Sequence, residues 1–284
     1  MKNTMKKPVA IPVEKLRPFA GHPFKVKDDE EMNTLIESIQ TQGILSPLIV
    51  RPIENTDEYE VVSGHRRLHA AQKAGITEVP ALIYALDRDS AAIAVVDSNL
   101  HREHILPSEK AFAYKLKRDA MAHQGRTSPQ LGEKSLTVEK IGAETGDSKN
   151  QVLRYIRLTH LIPELLDLMD EGKIALMVGE ALSYLGDEEQ YAVLEQCEIN
   201  DCTPSYAQAV EMKKRYQDEN LTAENISEIL SREKANQRET IKIPTEKLRK
   251  YAPNADAKQL EDFIIKACEH YRKFLIRQRN RDER

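Results

Sequence analysis

Between residues 29 and 43, Met32, Leu35, Ile36 and Ile39 recur at i, i+3, i+4 and i+7 among polar neighbours. That is the apolar stripe of a helix that buries one face. Asp29 stands before the stripe as a capping residue, and Gly43 stands just past its end. Upstream, the β-branched run "VAIPV" predicts a strand, and "LRPFAGHPFKVK" reads as a loop punctuated by Pro and Gly. Downstream, "PLIVRPI" and "YEVVS" are short strand-like runs around a polar "ENTDE" turn. A helix from Ser63 to Gly75 follows, and "VPALIYAL" is another strand.

Past Ser90 the strand signals vanish. "AAIAVVDSNLHREHI", "SEKAFAYKLKRDAMAHQ" and most of residues 137–235 have helical spacing, interrupted by "GRTSPQLGEKS", which reads as a loop. After the polar "SREKANQRE", "TIKIP" suggests a short strand or docking segment. Leu260, Phe263, Ile264, Ala267, Tyr271, Phe274 and Leu275 then form a stripe that should pack on its own chain or on a second copy. The expected class is α+β. A small α/β domain over residues 1–105 precedes an all-helical domain over 106–235, and residues 240–284 form a C-terminal element with one amphipathic helix.

Composition fits this reading. A length of 284 residues suits two domains with an appendage, and 40% hydrophobic residues with 5% aromatics and no Trp suit a helical protein with solvated faces. No apolar run approaches membrane-spanning length and no leader pattern is evident at the N-terminus, so the expected location is cytoplasmic, with no membrane contact. Cys197, Cys202 and Cys268 are scattered and read as reduced thiols. The net charge of −4 hides basic stretches: "HREHILPSEKAFAYKLKR" has five Lys/Arg against two Glu, and "YRKFLIRQRNRDER" has six against two acids. Local charge bears on partners more than the total does.

"SLTVEKIGAETGDSKNQVLRYIRLTHL" has the spacing of a helix-turn-helix, placed at 137–160. Such a unit needs a small residue where the helices meet, a residue tolerant of positive φ in the turn, and apolar residues that fix the angle. Gly142, Gly146 and the set Val138, Ile141, Val152 and Ile156 meet those needs. Asp147 or Ser148 can cap the second helix, leaving Lys149, Asn150, Gln151 and Arg154 on its N-terminal face. Amides and Arg read adenine and guanine edges. Lys134, Thr137 and Ser148 complete the expected DNA-binding set, with Lys134 and Arg157 as phosphate contacts. A plain helical hairpin is the bland alternative.

"VVSGHRRLHAAQKAG" poses a second question: whether the Gly-His-Arg-Arg turn holds a phosphate or only starts a helix. Backbone N–H groups at a helix start suit an anion, and first-turn arginines oppose the helix dipole. His65 and His69, with His101 and His104, invite a metal reading, but no Cys or carboxylate completes a set.

These stretches, with "HPFKVKDDEEMNTLIESIQTQGILSPLIVRP" and "DSNLHREHILPSEKAFAY", resemble the ParB family of partition proteins in order and spacing. "LMDEGKIALMVGEALSYLGDEEQYAVL" and the C-terminal segment look most like the type carried by plasmids and conjugative elements of Gram-positive bacteria. The resemblance implies a dimeric, nucleoid-associated clamp on double-stranded DNA carrying an inverted repeat. It further implies an N-terminal domain binding CTP with magnesium, and a ParA-type ATPase partner. It places Gly64, His65, Arg66, Arg67, Asn99 and Arg102 at the nucleotide, with Asn99 as a weak magnesium ligand.

Three departures stand against the family pattern: His65 replaces a Glu, Ser98 replaces a Glu beside Asn99, and the loop His22 to Lys27 carries Lys25 where a Gln is usual. CTP hydrolysis is therefore expected to be weak or absent, and Lys25 could itself neutralise a phosphate. Two alternatives accompany this reading. One is a DNA-binding regulator or nucleoid-occlusion-like factor without a partition role. The other is a CTP-hydrolysing enzyme of the superfamily that includes the sulfiredoxins, whose cysteine beside the arginine motif is missing here.

Overall fold

The computed structural model describes residues 7–100, 102, 104–124, 133–232, 245–253 and 256–282. Two compact units result, Met1–Arg232 and Glu233–Arg284.

The β-branched runs become Val9–Pro12 (β1), Leu16–Pro18 (β2), Leu48–Pro52 (β3), Tyr59–Ser63 (β4) and Glu78–Ile83 (β5), in one sheet of order β1-β5-β3-β4-β2. β1 and β5 pair antiparallel, as do β3 and β4, whereas β3 with β5 and β2 with β4 run parallel. β2 lies inside the stretch that the sequence suggested was loop. It is three residues long and ends on Pro18 at the sheet edge, where a missing N–H leaves no ladder bond unmade. Alternation along β4 sends Val61 to the cluster with Leu48, Val50, Leu68 and Ala71. Its neighbour Val62 goes to the opposite cluster, with Phe19, Phe24 and Val95.

Helix α1, Glu30–Gln42, starts where Asp29 accepts from the Met32 N–H at 2.9 Å and stops at Gly43, whose φ is 70°. Met32 and Ile39 pack on Ala70 of α2, His65–Lys73. Helices α3, Arg88–Asp97, and α4, Pro107–Gln124, cover the other face of the sheet. α4 faces two ways: Ala113 and Ala120 join the cluster of α3, while Tyr114 enters the cluster of Val138, Ile141, Val152 and Ile156. Buried Lys117 bridges Asp97 and Glu144. The sheet and the helical region thus share one helix.

Helices α5, Glu133–Thr145, and α6, Lys149–Leu158, follow. Glu133–Ser135, the end of the loop expected from "GRTSPQLGEKS", already form the first turn of α5. Residues 125–132 lie outside the described residues. Beyond them α7 (Pro163–Asp170), α8 (Leu176–Leu182), α9 (Asp187–Ile199), α10 (Tyr206–Gln217) and α11 (Ala223–Ser231) enclose a core of Leu158, Leu165, Leu182, Met212, Ile226 and Ile229. Gln190, buried in that core, donates to the carbonyls of His160 and Leu185 at 3.0 Å and accepts from the Ile162 N–H at 2.9 Å, which fixes the chain just after α6.

The second unit contains α12, Thr245–Arg249, and α13, Ala257–Asp282. "TIKIP" lies outside the described residues. Phe263, Tyr271, Phe274 and Leu275 of the expected stripe are 37–61% exposed, and the rings of Tyr271 and Phe274 stack at 6.3 Å. Among the described residues no helix is long and apolar enough to cross a membrane.

Candidate functional site

β4 delivers Gly64 into the turn at a φ of 106°, and α2 starts at His65 without a side-chain cap, so its first-turn N–H groups lack a capping partner. A Cβ at Gly64 would meet Leu48 Cγ and Arg67 Nη2, each at 3.1 Å, so both conformation and space require glycine. His65 stacks on His22 with ring centroids 3.7 Å apart, and its Nε2 accepts from the Phe19 N–H at 3.3 Å. His22 Nδ1 lies 2.8 Å from the Phe24 carbonyl and must donate to it. The opposite nitrogen, Nε2, is buried with no hydrogen-bond partner. Burial, then His22, then Arg102 push His65 down to about 3, and burial also lowers His22. Both imidazoles are neutral at pH 7, so the position taken by His65 carries no charge.

The two arginines of the turn diverge. Arg67 turns inward and donates to the carbonyls of Ser46 and Pro47, the latter at 2.9 Å, and burial pulls it below the usual guanidinium value. Arg66 stays at the surface, 3.2 Å from Glu31 and 3.7 Å from Asp29. Arg102 lies with its guanidinium 5.6 Å from the centre of the Phe24 ring, lowered by burial and by Arg66 against the raising effect of Glu109. Arg66 and Arg102 therefore supply positive charge beside the His22–His65 stack.

Asn99 is buried and donates to the Val95 carbonyl at 2.8 Å and to Ser98 Oγ at 3.2 Å. Ser98 also donates to the Val95 carbonyl. Only neutral oxygens remain, and without a carboxylate this pair does not fit a protein-held magnesium site. Among the described residues no group of three or more His, Cys, Asp or Glu could hold a metal ion. His69 Nε2 lies 2.8 Å from Asp28 Oδ1.

Lys25 has a different place from the one its sequence position suggested. Its ammonium lies 3.1 Å from Asp167 and 3.2 Å from Asp170 on α7, and its N–H donates to Glu109 Oε1 at 2.7 Å. Asp170 also accepts from the N–H and hydroxyl of Ser108, at 3.0 and 2.6 Å. Lys25 thus ties the loop of His22 to α4 and α7, and it is not directed at the Gly64 turn.

The helix-turn-helix is built from α5 and α6. A Cβ at Gly142 would fall 2.5 Å from the Asp147 carbonyl, so glycine sets how closely the turn approaches α5, and Gly146 takes a φ of 77°. Ser148 caps α6 by accepting from the Gln151 N–H at 3.2 Å. Asp147 instead accepts from the Tyr114 hydroxyl and pairs with Lys110, each at 2.6 Å, which anchors the turn to α4. Val152 and Ile156 are buried, whereas Asn150 is exposed and Gln151 and Arg154 are half-exposed. Lys149 pairs with Glu139 at 2.9 Å, and Arg154 Nε lies 3.1 Å from Glu180 Oε2 on α8. Thr137 is half-buried on α5, and Lys134 lies in the first turn of that helix. Arg157 points elsewhere: it donates to the Ser183 carbonyl at 2.8 Å and lies over the Tyr184 ring. Glu180, Tyr184 and Lys213 border this surface and have no local signal in the sequence, because each reaches it from a later helix or its flanking turn.

Residues 1–100 match the family model of the ParB N-terminal domain. The chromosome-partitioning protein Spo0J of Thermus thermophilus is 35% identical over 183 residues, which is 64% of this chain and 62% of that protein. A nucleoid occlusion protein of a Geobacillus species is 32% identical over 66% of this chain and 61% of its own length. The crystal structure of C-terminally truncated ParB from Caulobacter crescentus with CTP-gamma-S aligns at 28% identity over 66% of this chain and 97% of that one, with a TM-score of 0.32. The chain thus spans about three-fifths of the two curated relatives. Residues 1–100 thus form a ParB N-terminal domain, and the chain is similar to partition proteins over about two thirds of its length.

Proposed function

We propose that the chain is a sequence-specific DNA-binding protein that acts in partition of a chromosome, plasmid or integrated mobile element. It would read an inverted repeat as a homodimer. The observation that carries this reading is the α5–α6 unit, whose capped second helix presents Asn150, Gln151 and Arg154 beside a buried Val152 and Ile156. Amide and guanidinium groups on the first turns of such a helix meet base edges in the major groove. Genome-wide immunoprecipitation of the tagged chain should give a peak at an inverted repeat with flanking spread. Arg154→Ala should lower affinity for that site by about tenfold or more, with the fold intact by circular dichroism. An unchanged footprint rules out α6 as the reading helix.

The uncapped start of α2, flanked by Arg66 and Arg102, is a fitting cradle for the phosphates of CTP. The neutral His22–His65 pair offers no carboxylate to a hydrolytic step. Titration calorimetry should detect CTP binding that Arg66→Ala weakens, with no phosphate release by the native protein. A ParA-type ATPase is the proposed partner. A nucleoid-occlusion role is the second reading, favoured by the similarity to the Geobacillus protein. Loss of the replicon from dividing cells after gene deletion supports partition, whereas septa closing over DNA support occlusion.

A further inference from the structure

Arg157 extends the stripe of Asn150 and Arg154 along α6, since the three recur at i, i+4 and i+7. Its guanidinium lies 4.1 Å from the centre of the Tyr184 ring, and the Lys213 ammonium of α10 lies 3.4 Å from the same centre. One neutral ring holds two cations, and among the described residues neither of them is in an ion pair. Arg157 spends one N–H on the Ser183 carbonyl, and its Nε is buried with no hydrogen-bond partner.

A second group of charges adjoins the first. His160, just past α6, is lowered by burial and then by Arg157, Lys115 and Arg118. Lys115 and Arg118 lie at i, i+3 on α4, within the basic stretch that the reading helix leaves unexplained. Arg118 is bonded only to its own neighbour Asp119, and Lys115 to no carboxylate among the described residues. In a chain of net charge −4, four cations from three helices meet around one tyrosine and one histidine. Arg157 and Lys213 repel one another across the shared ring, and cation–π attraction of about 0.5–2 kcal/mol each offsets that without supplying a counter-charge. The missing component is an anion.

The position of the cluster identifies the anion. At 1.5 Å of rise per residue, Arg157 lies about 10 Å along α6 from Asn150, close to the ~12 Å width of the major groove. A helix seated with Asn150 and Arg154 on base edges therefore brings Arg157 and its neighbours to the groove's lip, where the phosphates run. We propose that Lys115, Arg118, Arg157 and Lys213, set around Tyr184 and His160, form a second anion site that grips the DNA phosphodiester backbone beside the groove read by α6. This rests on the DNA-reading assignment of α6 and adds a sequence-independent grip to it.

The test uses the full-length chain and two synthetic duplexes of its immunoprecipitated site, one trimmed to the recognised base pairs and one longer by half a helical turn at each end. For Lys115→Gln/Lys213→Gln, binding to the longer duplex should weaken about tenfold. The slope of log affinity against log salt should flatten by about 0.9 per lost phosphate. Binding to the trimmed duplex and base preference should stay as in the native protein, and Lys213→Arg should keep the native slope. A double variant that melts normally yet retains the native slope overturns the proposal, as does an equal loss on both duplexes. If the slope is native but binding to polyglutamate is lost, the patch serves an acidic protein instead. Failure of the native chain itself to prefer the site over random duplex removes the reading of α6 along with this one.

Discussion

Glu180 controls how Arg154 is presented. Its carboxylate holds the guanidinium at Nε, which leaves the two terminal nitrogens for the paired contact that guanine accepts. On the proposed reading role of α6, the same negative charge would repel any DNA that cannot make that contact. Glu180→Gln should therefore raise affinity for random duplex while lowering preference for the cognate site several-fold, a crossing that competition anisotropy detects. Parallel changes on both duplexes rule out the buttress. His65 makes a prediction of a different kind. Its value of about 3 lies below the ordinary ~6.5, so the unfolded chain binds more protons than the folded one between those limits. The stability contributed is complete above pH ~6.5 and is lost as pH falls, by about 1.4 kcal/mol per unit from this group. Urea midpoints should decline below pH 6.5, and His65→Asn should flatten the decline. An identical pH profile in that variant contradicts the assignment. The Ser148 cap and the His65 substitution were legible in sequence because both are local. Glu180 beside Arg154, and Asp167 and Asp170 beside Lys25, were not, because each partner arrives from a helix distant in the chain.

Elements with their own periodicity or turn chemistry are legible for the same reason. Helix α1 runs between the Asp29 cap and Gly43 that its sequence contains, and β3, β4 and β5 arise from β-branched runs. β2 escaped because three residues beside Pro18 become a strand only through parallel pairing with β4, some forty residues later. The start of α5 was also misplaced: Glu133, Lys134 and Ser135 are polar enough to read as loop, yet they form the helix's first turn. Within the helix-turn-helix the tightest element-scale constraint is Gly142, where an added methyl would press on the Asp147 carbonyl at 2.5 Å. Backbone leaves no soft neighbour to yield, so Gly142→Ala should destabilise the chain by about 1–3 kcal/mol and disturb the angle of α6. DNA affinity should then fall with the denaturation midpoint. A variant with native stability and binding contradicts the close approach.

On the scale of the whole molecule, the first unit is laced together so that the loop of the Gly64 turn and the helix-turn-helix are not independent. His22 stacks on His65, Lys25 three residues on is clamped to α7 through Asp167 and Asp170, and α4 lies between the sheet and the helix-turn-helix. An anion bound at the turn would act on this linkage. The second unit poses a different problem, because α13 leaves Phe263, Tyr271, Phe274 and Leu275 exposed on a helix of 26 residues. An aromatic and aliphatic stripe of that length is unfavourable in water, and a second copy would bury it symmetrically. The chain should therefore sediment as a dimer at micromolar concentration, and Tyr271→Glu/Phe274→Glu should shift it to monomer while circular dichroism and the melting of the first unit stay native. Because an inverted repeat presents two half-sites, the monomeric variant should also lose affinity for the full site but not for an isolated half-site. A double variant that remains dimeric moves the interface elsewhere in the chain. One that turns monomeric yet binds the full site as the native protein does shows that α13 pairs copies without coupling their DNA contacts.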